Sequence, residues 1–326
     1  MILAGDIGAT KTNLGFFDDS SGRLRLVASK TFSSRSYPGL ENIIEQCLRE
    51  APHKVKRACF GIAGPIREGR VQTSNLPWVV EAKKIAGVLN LKEVILINDL
   101  EATAYGIAML EKDLLLCLNP GKATAGNQAV IAAGTGLGEA FLYWNGKDHL
   151  PAASEGGHTD FAPRSDLEIE LFNYLRKEFE HVSYERVVSG PGLLSIYQFL
   201  RDSGKGLEPD WLRGRIQKGD PTAAISTAAL EKACQLAVDA LDLFVSIYGA
   251  EAANLALKTM AVGGVFVGGG IAPKIREKLV DGQFMKAFTA KGRFEELLQG
   301  IPVHVILDEK TALKGSARRA LMQKTQ

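Results

Sequence analysis

The chain has 326 residues, 46% of them hydrophobic and 23% charged, with a formal net charge of +2. That composition is ordinary for a globular protein of about two domains. A charge so near zero leaves no electrostatic footprint for nucleic acid. The longest hydrophobic tract, Ala261 to Ala272, is too short and glycine-rich to span a bilayer. Neither a nucleic-acid nor a membrane partner is expected. The four cysteines (Cys47, Cys59, Cys117 and Cys234) are far apart in apolar surroundings, with no CxxC pair. A disulfide scaffold and a cysteine-type zinc site are thereby disfavoured. Buried free thiols in a reducing cytoplasm are expected instead. The opening residues Met1 to Asp6 lack the basic and long apolar regions of a signal peptide.

Met1 to Asp6 reads as a short strand, and Asn13 to Asp18 resumes as a second, with Gly8-Ala9-Thr10-Lys11-Thr12 as the hairpin tip. Arg23 to Phe32 alternates as a third strand. Pro38 opens a helical pattern through Leu40, Ile43, Ile44, Cys47 and Leu48. Val55 to Ile62 is a strand, and Gly69 to Trp78 a loop or short hairpin. Ala82, Ile85, Ala86 and Leu89 mark a helix face. Val94-Ile-Leu-Ile97 is an unbroken apolar run, the pattern of a strand buried on both faces. A helix from about Leu100 to Leu110 then completes a βββαβα unit.

A similar unit restarts. Ala129 to Ala133 is a strand, Gly134 to Gly138 a turn, and Ala140 to Trp144 a second strand. Asp166 to Phe179 reads as a helix, and residues 183 to 222 as irregular and polar. Ser226 to Tyr248 reads as one long amphipathic helix stopped by Gly249. Val265-Phe-Val267 is a buried strand, followed by Gly268-Gly269-Gly270 and a helix from about Pro273. Val303 to Leu307 is a last strand and Thr311 to Met322 a last helix. Each half opens with strand, Gly/Thr turn, strand, and later alternates helix with strand. The duplication is one of architecture, not of residue identity.

Asn98 and Asp99 stand at the carboxyl end of the Val94 strand, where open α/β sheets bind their ligands. Asp99 is either a catalytic base or, like Asn98, a cap for the next helix. The tip Gly8-Ala9-Thr10 exposes backbone N–H groups and hydroxyls that can bind an anion without a bulky side chain. Asp6 beside it can hold a magnesium ion through water. The alternative is a plain turn in which glycine supplies positive φ. The tip is not a Walker A loop, because position 10 is Thr where the second Gly would fall. Gly134-Thr135-Gly136-Leu137-Gly138 is a second such turn, either a phosphate cradle or a bulged hairpin. It departs from GxGxxG because a strand, not a helix, follows. Gly268-Gly269-Gly270 can flatten against a base or ribose. Glu155-Gly-Gly-His158, Glu185 and Asn75 supply the planar donors and acceptors that a polyol requires, or are solvated loop residues. Five scattered histidines and no HExxH argue against a zinc site.

In this order, these segments resemble bacterial glucokinases. The resemblance is carried by Asp6-x-Gly8-x-Thr10, Ile97-Asn98-Asp99, Gly134 to Gly138, Glu155-Gly-Gly-His158-Thr-Asp160-Phe161-Ala-Pro163, Glu185-Arg-Val-Val-Ser189-Gly190-Pro191-Gly192 and Gly264 to Pro273. It implies an α/β protein of two lobes with the actin-like ATPase (ribonuclease H-like) fold and a cleft between the lobes. Residues 1–110 plus about 302–326 would form a small lobe, and 111–301 a large one with helical insertions. It also implies phosphorylation of the 6-hydroxyl of glucose by ATP with Mg2+. Asp99 would be the base; Asn98, Glu155, His158 and Glu185, with Asn75, would contact the sugar. The 8–12 and 134–138 turns would hold phosphates. A cytoplasmic homodimer feeding glycolysis is the family's usual form.

Two departures matter. Ala9 stands where many relatives have Gly, putting a methyl near the phosphates. Lys11-Thr12-Asn13 is similar to the related repressor and kinase group of sugar kinases. That group carries a cysteine-rich zinc motif, but no cysteine lies between Cys117 and Cys234. The zinc-free glucokinase branch is therefore expected. The first strand begins at the first residues of the sequence, so a preceding helix-turn-helix domain is not expected. Rival readings are a kinase for mannose or another hexose, polyphosphate as donor, an actin-like ATPase module, and a sugar sensor without catalysis.

Overall fold

The computed structural model describes residues 1–20, 24–51, 53–73, 76–122 and 124–323. It divides into two compact units. One holds Met1–Lys112, Pro151–Ala153 and Asp308–Gln326; the other holds Asp113–Leu150 and Ser154–Leu307.

The first unit begins with three strands, β1 (Ile2–Ile7), β2 (Lys11–Asp18) and β3 (Arg25–Ser33), then helix α1 (Leu40–Glu50) and β4 (Arg57–Ile62). A small hairpin, β5 (Arg70–Gln72) and β6 (Val79–Glu81), leads into α2 (Ala82–Leu89), β7 (Ile95–Asn98) and α3 (Asp99–Ile107). The main sheet runs β3-β2-β1-β4-β7. Its first three strands are antiparallel neighbours, and β1, β4 and β7 are parallel. Successive strand side chains point to opposite faces, so β1 feeds two cores. Leu3 and Ile7 pack with Leu40, Ile44 and Ile85 on one face. Ile2 and Ala4 pack with Ala102, Tyr105 and Leu313 on the other. The start of the expected third strand, Arg23, lies outside the described residues.

The second unit contains β8 (Leu115–Asn119), β9 (Gln128–Ala133), β10 (Leu137–Trp144) and β11 (His149–Ser154). Helices α4 (Asp166–Leu175), α5 (Gly190–Asp202), α6 (Asp210–Lys218), α7 (Pro221–Leu230) and α8 (Gln235–Thr259) follow. Then come β12 (Gly264–Gly268), α9 (Arg276–Leu279), α10 (Gln283–Thr289), α11 (Glu295–Gln299) and β13 (Val303–Ile306). The sheet runs β11-β10-β9-β12-β13-β8. Its first five strands repeat the order β3-β2-β1-β4-β7, with β9, β12 and β13 parallel. This duplicated arrangement is the α/β actin-like ATPase fold. The last helix, α12 (Thr311–Leu321), belongs to the first unit.

Four expectations need correction. The last strand does not return to the first unit: β13 pairs with β12 and β8, and the crossing falls at Asp308. Residues 183–222 are largely helical, because Ser189 and Asp220 cap α5 and α7 with prolines in the first turn. The long helix is broken at Glu231–Cys234, where Lys232 takes φ 54°, and α8 then runs past Gly249 to Thr259. Gly249 is there for packing, since a Cβ would overlap the backbone of Phe284. Cys117 is exposed, unlike the other three cysteines, because β8 is an edge strand. No single helix among the described residues is long and apolar enough to cross a membrane.

Candidate active site

In the first unit, β7 ends at Asn98 and α3 starts at Asp99. Asn98 is the cap: its Oδ1 accepts from the N–H groups of Leu100 at 2.8 Å and Glu101 at 3.4 Å. Asp99 is the first helical residue, and its Oδ1 also accepts from Leu100, at 2.9 Å. A carboxylate there is favoured by the helix dipole. The position of α3 is set by backbone contact. A Cβ on Gly61 would meet Ala102 at 2.7 Å, and one on Gly106 or Gly315 would overlap the backbone of Thr311 or Ala102. β4, α3 and α12 are thus clamped together at glycines, with Asp99 at the clamp's edge.

The first hairpin tip has Gly8 N–H bonded to Lys11 O at 3.0 Å. Ser34 supports it from beneath: its Oγ donates to Gly8 O at 2.8 Å, and its N–H to Thr10 O at 3.0 Å. Thr10 and Lys11 are exposed, whereas Thr12 is buried with its hydroxyl 3.0 Å from Ser34 Oγ. Thr12 therefore shapes the turn from below. Gly8 does not take positive φ, nor do the three glycines of the second turn. Space is what requires glycine at position 136, where a Cβ would overlap Glu185, and it is tight at Gly8 against Lys11 O; Gly134 has room for a Cβ.

Asp6, at the end of β1, is paired across the hairpin with Asn13, whose Nδ2 donates to Oδ2 at 3.2 Å. Burial pushes the Asp6 carboxyl up against the lowering effect of Asn13. Among the described residues, no three His, Cys, Asp or Glu side chains converge to cage a metal. One sheltered carboxylate without a cage fits magnesium held mainly by water and phosphate oxygens.

In the second unit the turn Gly134–Gly136 joins β9 to β10, with Leu137 opposite Ala133. Gly134 N–H bonds Gly136 O at 2.8 Å, and Gly134 O accepts from Gly190 N–H at 2.8 Å. Thr135 is exposed. Glu185 packs against this turn. Its Oε2 accepts from Leu137 N–H at 2.9 Å, and a Cβ on Gly136 would overlap that same oxygen. The Ser189-Gly190-Pro191-Gly192 segment follows directly. Ser189 Oγ donates to Glu185 O at 2.7 Å and accepts from Gly192 N–H at 3.0 Å.

Glu155 and His158 are exposed; Glu155 precedes and His158 ends a single 3-10 turn, Gly156–His158. Both of its glycines are dictated by β10. A Cβ on Gly156 would overlap the Glu139 carboxyl, and one on Gly157 would overlap Leu137 O. His158 and Glu185 line one cavity of about 300 Å³ with Glu178, His181, Ser183 and Arg186. His181 Nε2 lies 2.8 Å from Asp160 Oδ1 at its edge. Gly268 ends β12; Gly269 has φ 83° and would overlap Ala133 O if it carried a Cβ, whereas Gly270 faces open space.

The structure brings Asn98 together with Asp99, the 8–12 turn together with Asp6, and His158 and Glu185 to one cavity beside the 134–138 turn; Glu155 is exposed next to Gly156 and does not line that cavity. Asn75 lies outside the described residues. Sequence reasoning missed Tyr248, taken only as helix core. Its hydroxyl lies 3.2 Å from Ala133 N, 3.3 Å from Ile131 O and 3.4 Å from Gly268 O, tying the ends of β9 and β12 below the 134–138 turn and Gly268–Gly270. It also missed Glu139 and Glu251, whose burial no local pattern announces.

A duplicated actin-like fold that carries two glycine turns and a cavity lined by His158 and Glu185 is an architecture that suits a sugar kinase. The sequence model of the glucokinase family matches residues 3–323. The glucokinase of Nostoc punctiforme is 42% identical over 333 residues, covering 97% of this chain and 98% of that one. A glucokinase structure from an Antarctic psychrotroph aligns with TM-score 0.84 and 31% identity over 98% of both chains. Glucokinase from Balamuthia mandrillaris in complex with glucose has the same fold, with TM-score 0.81 at 21% identity over 98% of this chain and 93% of that one. The chain belongs to the glucokinase family.

Proposed function

We propose that this protein transfers the γ-phosphoryl group of ATP to the 6-hydroxyl of glucose, giving glucose 6-phosphate and ADP. The observation that carries the proposal is the family match across nearly the whole chain, joined to the cavity shared by His158 and Glu185. Glu155, His158 and Glu185, with the amide of Asn98, hold the sugar hydroxyls; Asn75 joins them by the family pattern. Asp99 takes the 6-hydroxyl proton while that oxygen forms its bond to γ-phosphorus. The bond from γ-phosphorus to the bridging oxygen breaks, and ADP leaves with the electron pair. Backbone N–H groups of the 8–12 and 134–138 turns steady the phosphates, and Gly268–Gly270 lies along the nucleoside. Such transfers depend mainly on positioning and charge stabilisation. Magnesium, when bound, neutralises phosphate charge; Asp6 would hold it through water.

The same proposal places the protein in the cytoplasm as a homodimer at the entry to glycolysis. The test is a screen of glucose, mannose and other hexoses against ATP, ADP and polyphosphate, with the products identified. Glucose 6-phosphate formed from ATP is the expected result. Sugar-independent ATP hydrolysis would point to the ATPase module instead, and sugar binding without transfer to a sensor.

A further inference from the structure

Behind the sugar-binding turns lie two carboxyls that the transfer chemistry does not use. Glu139 on β10 is 2% exposed and Glu251 on α8 is 0% exposed. They face each other within hydrogen-bonding reach. One oxygen of each, Oε1, has no hydrogen-bond partner among the described residues. Two adjacent carboxyls in such a site share a proton, because both cannot ionise cheaply.

The pair touches both turns. The Glu139 carboxyl packs against Gly156, leaving no room for a Cβ, and so backs the turn that carries Glu155 and His158. Glu251 Oε2 accepts from Asn254 Nδ2 at 2.7 Å, and the same nitrogen lies 2.9 Å from Tyr184 Oη. Tyr184 opens the turn that carries Glu185, and its N–H bonds Thr159 O at 3.0 Å. One buried cluster thus stands behind His158 and Glu185 together.

Resting on glucose as the substrate proposed above, we infer that Glu139 and Glu251 form a proton-sharing brace that positions both sugar-binding turns. They are positioning residues, and loss of the shared proton weakens glucose binding. Burial, then the charge of Glu251, pushes the Glu139 carboxyl up to about 8. The other groups facing the pair are Tyr248 and Lys258 from α8, Tyr184, and Lys291 through Asn254, with Arg164 and Glu168 around Lys291. Lys258, 3.8 Å from Glu251 Oε1, is the cation that opposes the rise. The sign is that of a raised carboxyl. Its stabilising contribution is full below the unfolded value, near 4.5, and is lost as pH passes about 8. Above that pH a second negative charge appears in the pair, and repulsion drives Glu139 against Gly156 and Glu251 away from Tyr184.

The experiment measures kcat and both KM values from pH 6 to 9 for the wild type, Glu139→Gln and Glu251→Gln. Wild-type KM for glucose is expected to rise at least about fivefold between pH 7 and 9, the size of one weakened hydrogen bond. KM for ATP changes much less. Glu139→Gln, a neutral isostere of the protonated form, flattens the rise. A flat wild-type profile, or a variant profile parallel to the wild type, overturns the brace. Amide exchange at 156–159 and 184–188 in the sugar-free protein, corrected for intrinsic rate, reads the device independently. Faster exchange above pH 8 that Glu139→Gln suppresses supports it, and unchanged exchange overturns it. Wild type that makes no glucose 6-phosphate defeats the substrate proposal alone, since the exchange experiment still decides the brace.

Discussion

The candidate base and the candidate sugar ligands are held in opposite ways. Asp99 stands at the first turn of a helix locked to β4 and α12 at Gly61, Gly106 and Gly315, where backbone meets backbone. Glu155 and His158 stand on an exposed one-turn segment, and Glu185 is fixed mainly by one bond to Leu137 N–H and its contact with Gly136. The difference fits a division of labour. Proton transfer tolerates little displacement, so its base sits on a rigid element. Recognition of several hydroxyls is spread over short turns whose support lies beneath them.

The comparison breaks first at Asp99. Asp99→Asn keeps the cap, since Asn98 supplies it, and keeps glucose binding; kcat should fall by about 10²–10⁴-fold, as for loss of a general base. Steady-state kinetics beside glucose calorimetry checks both halves, and near-full turnover would remove Asp99 from the role. A smaller effect of the opposite kind is expected from Gly136→Ala. The added Cβ meets the end of the flexible Glu185 side chain rather than backbone. Stability should therefore change little while KM for glucose rises about tenfold, the equivalent of about 1.4 kcal/mol. A large fall in the urea midpoint with unchanged KM would show the turn to be structural only. His158→Ala comes next, with about three- to tenfold on KM for glucose and kcat nearly intact, the range of one hydrogen bond.

How much of this was legible in the sequence follows from how local each determinant is. The paired strand–turn–strand units were readable because alternation and unbroken apolar runs are short-range signals, and β9 and β10 begin within three residues of their expected starts. The helix start at Asp99 was readable from its cap. The helices within residues 183–222 were not, because Gly, Pro and Asp there serve as caps and first-turn residues while reading as breakers. The site residues were nameable by family pattern and turn chemistry. Their supports were not: Glu139 meets Glu251 more than a hundred residues away, and nothing near either announces a shared proton. Gly156 and Gly157 stand out in the sequence only as part of the Glu155–His158 segment, yet each is required by an atom of β10 that arrives only on folding.

The smallest expected effect tests the two glycine turns against each other. In the second turn a Cβ is excluded at position 136 by a neighbouring side chain. In the first, Ala9 already carries its methyl and the turn still closes, with Gly8 N–H on Lys11 O and Ser34 beneath. If the first turn offers phosphate only its backbone N–H groups, that methyl points away from the work and Ala9→Gly should move KM for ATP by less than about threefold, under one hydrogen bond's worth. KM for glucose should not move, because Glu155, His158 and Glu185 are supported from β10 and α8. A tenfold gain in ATP affinity on removing the methyl would mean that Ala9 crowds the phosphates, and that the first turn too is limited by space at its tip.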